Sequence, residues 1–134
     1  MVTRSKIDPD LFKVLGFVKD YCHSFKTIEC CGFLGHKNGE YFIDFVDNRS
    51  PQPNDFFHID PLEYLNFQNK CDLIAVVHSH PNSDDQFSEL DVSSAEPCCA
   101  PFLLYCVPLD KFLFYVPKNA EIDVNILNKV KGLL

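Results

Sequence analysis

The feature that most constrains the fold of this chain is a continuous apolar run that ends in two histidines. The run covers Leu73 to His78 and is rich in β-branched residues, which favours a central strand buried on both faces. Side chains at positions i and i+2 of an extended segment point to the same side, so His78 and His80 would present two imidazoles together while Ser79 faces away. The sequence therefore predicts a central strand that delivers two metal-binding groups at one end.

Two helices are predicted by an aspartate cap followed by proline. The Asp8-Pro9 pair begins a helix expected over residues 8–24, and Asp60-Pro61 begins one that continues to about residue 69. The apolar face of the second helix would include Leu62, Leu65 and Phe67.

The remaining elements complete an α+β domain. Segments 31–34 and 41–46 form a predicted hairpin through Asn38-Gly39, because both turn positions tolerate a positive φ. A short strand is expected over residues 56–59, a second hairpin over 102–107 and 112–116, and helices from Ser88 toward Glu96 and near the C-terminus around Val124, Leu127 and Val130. The fold class is thus a mixed β-sheet flanked by helices.

Composition limits the class of protein. The 134 residues, 46% of them hydrophobic, suffice for one core, so we predict a single domain over residues 1–134. The formal net charge is -7 and the basic residues are scattered, which argues against a nucleic acid partner. The first residues carry no apolar run for a signal peptide or membrane span, so we expect a cytoplasmic protein with no membrane partner. Seven cysteines without a CxxC pair indicate reduced thiols, mostly buried.

Further groups typical of a metal site follow and precede the histidines. Asp91 lies in the first turn of the helix that Ser88 begins, where the helix dipole favours a carboxylate. Two His and one carboxylate leave a fourth coordination position for water, which is the arrangement of catalytic zinc, although other divalent ions use similar ligands. Glu29, just before a predicted strand, is a candidate base for the proton of that water.

These residues resemble the JAMM, or MPN-plus, metalloproteases. The pattern of that family is a distant Glu, then His-x-His-Pro, then Ser and Asp eight and eleven residues after the second His. Glu29, His78, His80, Ser88 and Asp91 fill those places without an insertion. Around the motif, segments 29–32, 57–64 and 76–81 are similar to the peptidase domain of phage tail tip assembly proteins, and the likeness covers roughly residues 11–116.

The resemblance implies a cytidine-deaminase-like architecture that binds one Zn2+ through His78, His80 and Asp91, with water as the fourth ligand. It also implies that Glu29 acts as general acid and base and that Ser88 hydrogen-bonds the oxyanion. The implied activity is that of a zinc metallopeptidase or isopeptidase, which hydrolyses an amide bond in a protein or peptide substrate. A tail tip component processed during phage tail assembly is the first substrate that the resemblance suggests.

Other functions stay open. The substrate of such an enzyme can also be a ubiquitin-like protein, as for a deubiquitinase, or a sulfur-carrier precursor. A non-catalytic MPN scaffold is a further alternative, but such relatives typically lack motif ligands and this sequence keeps every one. A zinc deaminase acting on bases is disfavoured, because His-x-Glu with a later Pro-Cys-x-x-Cys is absent. Many of the tail proteins carry a following cysteine-peptidase domain, which we do not expect within these residues.

Ordinary packing explains parts of the pattern as well. A His-x-His pair alone is more often hydrogen-bonded than metal-bound, and Ser88-x-x-Asp91 alone is close to a capping box. Both roles of the serine can coexist, because the cap would fix the aspartate. Core packing is the expectation for four cysteines, Cys30, Cys31, Cys98 and Cys99, and a surface position for His36 and His58. The acidic residues Asp84, Asp85 and Glu89 are expected in a solvated loop.

Overall fold

A computed structural model of the chain describes residues 1–82 and 86–134. The described residues form a six-stranded sheet and four helices, an α+β arrangement that confirms the predicted fold class. Within them, no helix is long and apolar enough to cross a membrane. In chain order the elements are β1 (Val2–Asp8), α1 (Leu11–His23), β2 (Cys31–Lys37), β3 (Glu40–Val46), α2 (Pro61–Lys70), β4 (Asp72–His80), α3 (Glu89–Cys98), β5 (Phe102–Cys106), β6 (Lys111–Tyr115) and α4 (Val124–Gly132).

The predicted central strand lies in the middle of the sheet. The strand order is β1-β3-β2-β4-β5-β6, and β4 pairs antiparallel with β2 and parallel with β5. Residues 74–80 of β4 are all buried, so the strand continues through the second histidine. Burial on both faces is what the continuous apolar run predicted.

Two hydrophobic clusters, one on each face of the sheet, hold the layers together. Val77 of β4 belongs to the cluster that includes Val14 of α1 and Val130 of α4. Val76 belongs to the other cluster, with Phe67 of α2 and Ala95 of α3. Neighbouring residues of β4 therefore face different helix layers, and His78 and His80 share the layer of α2 and α3.

Both predicted hairpins and two predicted helix starts are confirmed, and the predicted C-terminal helix is present. Asn38 and Gly39 join β2 to β3 with φ values of 53° and 78°, the left-handed conformation that such a two-residue turn requires. Asp60 and Ser88 cap α2 and α3, and α4 begins after Asp123.

The N-terminal segment differs from the prediction. Asp8 is the last residue of β1, which pairs antiparallel with β3, and Asp10 caps α1 by accepting a hydrogen bond from the Phe12 backbone N–H. The Asp8 carboxylate accepts instead from the Asp10 N–H at 2.8 Å. An edge strand tolerates charged and polar side chains, so β1 lacks the apolar run that would have predicted it.

Two expectations about the middle of the chain are wrong. Residues 56–59 form no strand in the described part of the chain, because backbone groups of Phe56 and His58 bond to the side chain of Asn48. Leu62 and Leu65 of α2 are 60% and 59% exposed, and the buried residue of this helix is Phe67.

The cysteines follow the prediction in part. Five of the seven cysteines are buried, among them Cys30 and Cys31. Cys98 and Cys99 are exposed, contrary to the expectation of core packing. They lie at the C-terminal end of α3, where Cys99 adopts a left-handed conformation that ends the helix.

Candidate metal centre

Four polar side chains are buried together where β4 ends. His78 is fully buried, and His80, Glu29 and Asp91 are 6%, 4% and 3% exposed. Buried imidazoles and carboxylates are energetically unfavourable unless they pair or bind a metal. Their grouping therefore marks this end of the strand as a candidate functional site.

The donor atoms of these residues converge. Asp91 Oδ2 lies 3.2 Å from His78 Nε2 and 3.3 Å from His80 Nε2. Glu29 Oε2 lies 3.9 Å from His80 Nε2, and donor atoms of Glu29, His78 and His80 all lie within 4.8 Å of one another. The structure thus brings together the three predicted ligands and the predicted base, while their division of roles stays a prediction.

The pairing of β2 with β4 places Glu29 beside the histidines. Cys31 at the start of β2 is opposite His78. Cys30, which lies between Glu29 and Cys31, accepts a hydrogen bond from the Ser79 N–H at its carbonyl and donates its own N–H to Ser79 Oγ, both at 2.9 Å. Ser79 therefore faces away from the site, as predicted, and holds the segment that carries Glu29.

A capping box fixes Asp91. The Ser88 side chain accepts a hydrogen bond from the Asp91 N–H at 3.0 Å, and Asp91 Oδ2 accepts one from the Ser88 N–H at 2.9 Å. The oxygen that accepts from Ser88 is the same one that approaches both imidazoles, so the cap holds the carboxylate in place at the first turn of α3. Because the Ser88 oxygen acts as acceptor in the cap, its own hydroxyl hydrogen is available to a substrate group.

Aromatic packing orients the His78 ring. The ring of Phe57 stacks on it, with centroids 4.6 Å apart and planes at 26°, and Phe102 meets it edge-on at 5.9 Å. Nδ1 of His78 has no hydrogen-bond partner among the described residues, and Nε2 has only the 3.2 Å contact with Asp91 Oδ2, which lacks good hydrogen-bond geometry. A fully buried imidazole in that condition is destabilising unless its nitrogen binds something, as a metal ligand would.

Burial and neighbouring groups set the charges at the site. Burial lowers the pKa of His78, against the opposing attraction of Asp91, and so favours the neutral imidazole. Burial alone would raise the pKa of Asp91, but the two imidazoles and the Ser88 N–H outweigh it and hold that pKa well below its usual range. Neutral imidazole and ionised carboxylate are the protonation states that a zinc ligand set requires.

The spacing of the donor atoms fits a small divalent cation. Ligand atoms at about 2.0–2.1 Å from a tetrahedral Zn2+ are about 3.3 Å from one another. The contacts of Asp91 Oδ2 with the two imidazoles, at 3.2 and 3.3 Å, match that separation. The 3.9 Å contact of Glu29 is longer. Two overlapping groups could therefore hold a metal ion: Glu29, His78 and His80, whose donor atoms all lie within 4.8 Å of one another, and the same two histidines with Asp91.

Two cavities flank the site. A polar cleft of about 180 Å³ is lined by Glu29, His80 and Ser88 together with Asn54 and Asp55. On the other side, a groove of about 410 Å³ includes Asp91 and has apolar walls formed by Pro51, Phe56 and Leu90. Residues of the site thus line both cavities, Glu29 and His80 the first and Asp91 the second.

Several residues near the site were not predicted to take part in it. Phe57 lies in the segment interpreted as a strand, and Asn54 and Asp55 lie in the preceding loop. Only the density of Pro and Asn in this loop indicated a turn-rich, exposed segment of the kind that often carries binding residues. His58, expected at the surface, is exposed and lines the apolar groove.

Three acidic residues and His36 were also expected in contact with solvent. The acidic pair Asp84-Asp85 lies outside the described residues, and Glu89 is exposed at the first turn of α3. His36 is half-buried and packs against the ring of Tyr41 at 4.9 Å, so it is less exposed than expected.

Comparison with known proteins gives a consistent result. Residues 18–119 match the family described as prokaryotic homologs of the JAB domain. Tail tip assembly protein K of Escherichia phage N15 is 31% identical to the chain over 80 residues, which make up 60% of this chain and 33% of that protein. The chain thus spans about a third of the length of this curated relative.

A solved structure shares the fold. The solution structure of a protein from Desulfitobacterium hafniense has a TM-score of 0.58, covering 76% of this chain and 77% of that chain. The two sequences are 20% identical, so the likeness concerns the arrangement of helices and strands alone.

Proposed function

Because the chain belongs to the prokaryotic homologues of the JAB domain, we propose that it is a zinc-dependent hydrolase that cleaves an amide bond in a protein or peptide substrate. The observation that carries the proposal is the convergence of two imidazoles and two carboxylates, all buried, beside a polar cleft. Such a constellation is unfavourable for stability alone, which supports a role in chemistry.

Three residues would hold the metal. His78, His80 and Asp91 provide two nitrogen donors and one oxygen donor, a set common for catalytic zinc. When bound, Zn2+ supplies Lewis acidity at a substrate carbonyl and lowers the pKa of water. The stacked ring of Phe57 and the capping box of Ser88 keep two of these ligands in place.

Glu29 is the residue proposed to move protons. Its carboxylate is buried, lies 3.9 Å from His80 Nε2 and lines the polar cleft. From this position it would accept a proton from the attacking water and return it to the leaving amine. A side chain just outside the ligand set suits that role.

Ser88 is proposed to stabilise the negative charge that develops on the carbonyl oxygen. It lines the same cleft as Glu29, and its hydroxyl hydrogen is not needed for the cap. A donor fixed by the helix cap needs little reorganisation during the reaction, which is what makes such donors effective.

An extended peptide would suit the two cavities. It would lie across the donor atoms, with apolar side chains toward Pro51, Phe56 and Leu90 and polar groups toward Asn54 and Asp55. The similarity to a tail tip assembly protein leads us to propose a tail tip component as the substrate. A ubiquitin-like protein and a sulfur-carrier precursor are the alternative substrates.

Zinc content and peptide hydrolysis of the wild-type chain and of Glu29→Gln test this proposal. We expect the variant to retain zinc and to lose turnover by about 10²- to 10⁴-fold, because the amide cannot accept the proton. Glu40→Gln is the matched control, since Glu40 is exposed at the start of β3 and should behave like the wild type. Retained turnover in Glu29→Gln refutes the role of Glu29, and zinc binding without hydrolysis of any candidate substrate indicates a scaffold.

A further inference from the structure

One side chain ties the Glu29 segment to the loop that walls the site. Asn48 follows β3, and its amide bonds to four backbone groups in three separate places along the chain. We propose that Asn48 is a positioning residue that sets Glu29 and Phe57 relative to the metal centre. This inference rests on the proposed function for its catalytic consequence.

All four hydrogen-bonding positions of the Asn48 amide are used. Its nitrogen donates to the carbonyl oxygens of Glu29 at 2.9 Å and Phe56 at 3.2 Å. Its oxygen accepts from the N–H groups of Ser50 and His58, both at 3.0 Å. An amide has two donors and two acceptor lone pairs, so no bonding capacity is left over.

The partners determine which residue type fits at this position. Two carbonyls face the nitrogen and two N–H groups face the oxygen. A rotated amide would therefore place its oxygen against the carbonyls and its nitrogen against the N–H groups. An aspartate would keep the bonds to Ser50 and His58 but would turn an oxygen toward the carbonyls of Glu29 and Phe56. The site therefore requires the amide of Asn48, and the isosteric acid removes only half of its bonds.

Asn48 holds Glu29 together with the loop backbone. The Glu29 carbonyl accepts from Asn48, and the Glu29 N–H donates to the Pro53 carbonyl at 2.8 Å. On its other side, Cys30 is fixed to Ser79 of β4. The backbone of Glu29 thus spans from the loop to the central strand, and this span sets how far its carboxylate lies from His80.

The same amide brackets Phe57. Its two neighbours in sequence, Phe56 and His58, are the residues whose carbonyl and N–H bond to Asn48. Phe57 is therefore held between two fixed points while its ring stacks on His78. One side chain that touches none of the predicted ligands thereby fixes both the base and the packing of a ligand ring.

The test compares Asn48→Asp with the wild-type chain, loaded with zinc, by backbone amide exchange and by hydrolysis of a peptide substrate. We expect the Glu29 amide, whose bond to the Pro53 carbonyl depends on the loop that Asn48 holds, to exchange about tenfold faster in the variant, while the Cys30 amide, held by Ser79, keeps its wild-type rate. We expect kcat to fall by about 10- to 100-fold, since small misplacement of a catalytic group has effects of this size, with KM and zinc content close to wild type.

Ser50→Ala is the matched control. Ser50 lies in the same loop, two residues after Asn48, and its side chain accepts a hydrogen bond from the Gln52 N–H at 3.0 Å. The substitution removes this bond and keeps the Ser50 N–H that donates to Asn48. We expect this variant to leave the Glu29 amide and kcat unchanged. Equal effects of Ser50→Ala and Asn48→Asp, or an unaltered Glu29 amide in Asn48→Asp, would overturn the positioning role.

The two hypotheses fail separately. If the zinc-loaded wild type hydrolyses no peptide, the proposed function is wrong, and the amide exchange of Glu29 still decides whether Asn48 positions it. If the wild type is active and Asn48→Asp has wild-type kcat, the positioning role is wrong and the proposed function stands.

Discussion

The two ends of β4 carry similar chemical groups but arrange them differently. At its C-terminal end, His78, His80 and Asp91 converge with contacts of 3.2 and 3.3 Å. At its N-terminal end, Asp72 lines a cavity of about 960 Å³ together with His36, Cys71 and the exposed Cys98 and Cys99. Among the described residues, the only group of three His, Cys, Asp or Glu side chains with donor atoms within 4.8 Å of one another is Glu29, His78 and His80, at the C-terminal end.

The two ends of β4 therefore differ in how closely the backbone brings donor atoms together, and not in the supply of donor groups. His78 and His80 are two residues apart on a strand paired on both sides, so their directions are fixed. Asp91 is held by a helix cap. In the other cavity, His36 is paired with Asp72 across β2 and β4, but no third donor group is held against them among the described residues, and Cys98 and Cys99 are open to solvent.

The largest effect that would sharpen this contrast is loss of the metal. His78→Ala removes a buried nitrogen donor, and we expect bound zinc to fall from about one ion per chain to none, because two remaining ligands hold the ion poorly. His36→Ala is the control at the opposite end and should keep its zinc. Elemental analysis of the purified proteins measures the zinc content of each. Equal zinc in both variants would show that the two ends of β4 do not differ in metal binding.

An intermediate effect separates packing from metal binding. An added Cβ at Gly35, near the N-terminal end of β4, would lie 2.6 Å from Cys71 Sγ and 2.7 Å from the Phe67 ring. We expect Gly35→Ala to lower the free energy of unfolding by about 1–3 kcal/mol through overpacking, with zinc content unchanged. Chemical denaturation measures this loss.

Gly16→Ala in α1 provides the control for that variant. No atom lies within 4 Å of the added Cβ there, so we expect stabilisation by about 0.5–1 kcal/mol from helix propensity. Loss of zinc in Gly35→Ala would show that the two ends are coupled and would contradict their separation.

The smallest expected effect is a pH dependence of stability in the zinc-free protein. Burial lowers the pKa of His78 from its ordinary value of 6.5, so the unfolded chain binds a proton there while the folded chain resists it. The contribution of His78 to stability is therefore complete above pH 6.5 and is lost as the pH falls below that value. Denaturation midpoints between pH 7.5 and about 5.5 should decline less in His78→Gln than in the wild type. His36→Gln should retain the wild-type decline.

Much of the site was predictable because the structural features that build it involve residues close together in sequence. The i and i+2 spacing of His78 and His80 and the Ser88-x-x-Asp91 cap each follow from a few neighbouring residues. The apolar run from Leu73 identified the central strand for the same reason. The structure places these groups together, as a common metal site would require.

Contacts between distant segments were not predictable in this way. Asn48 and Phe57 act through partners elsewhere in the chain, and a single sequence contains no record of those pairings. In α2, Tyr64 and Phe67 face the core because both pack on the ring of Phe33, at 5.0 and 5.2 Å. The helical spacing of Leu62 and Leu65 had indicated that these two residues face the core. Only tertiary packing selects between two apolar faces of one helix.

Anomalous diffraction from a crystal of the zinc-loaded protein would locate the ion itself. We expect one zinc peak at about 2.0–2.1 Å from His78 Nε2, His80 Nε2 and an Asp91 oxygen, with Glu29 beside it. A peak at the cavity of Cys98 and Cys99, or zinc uptake without an ordered ion between these three residues, would contradict the proposed metal centre.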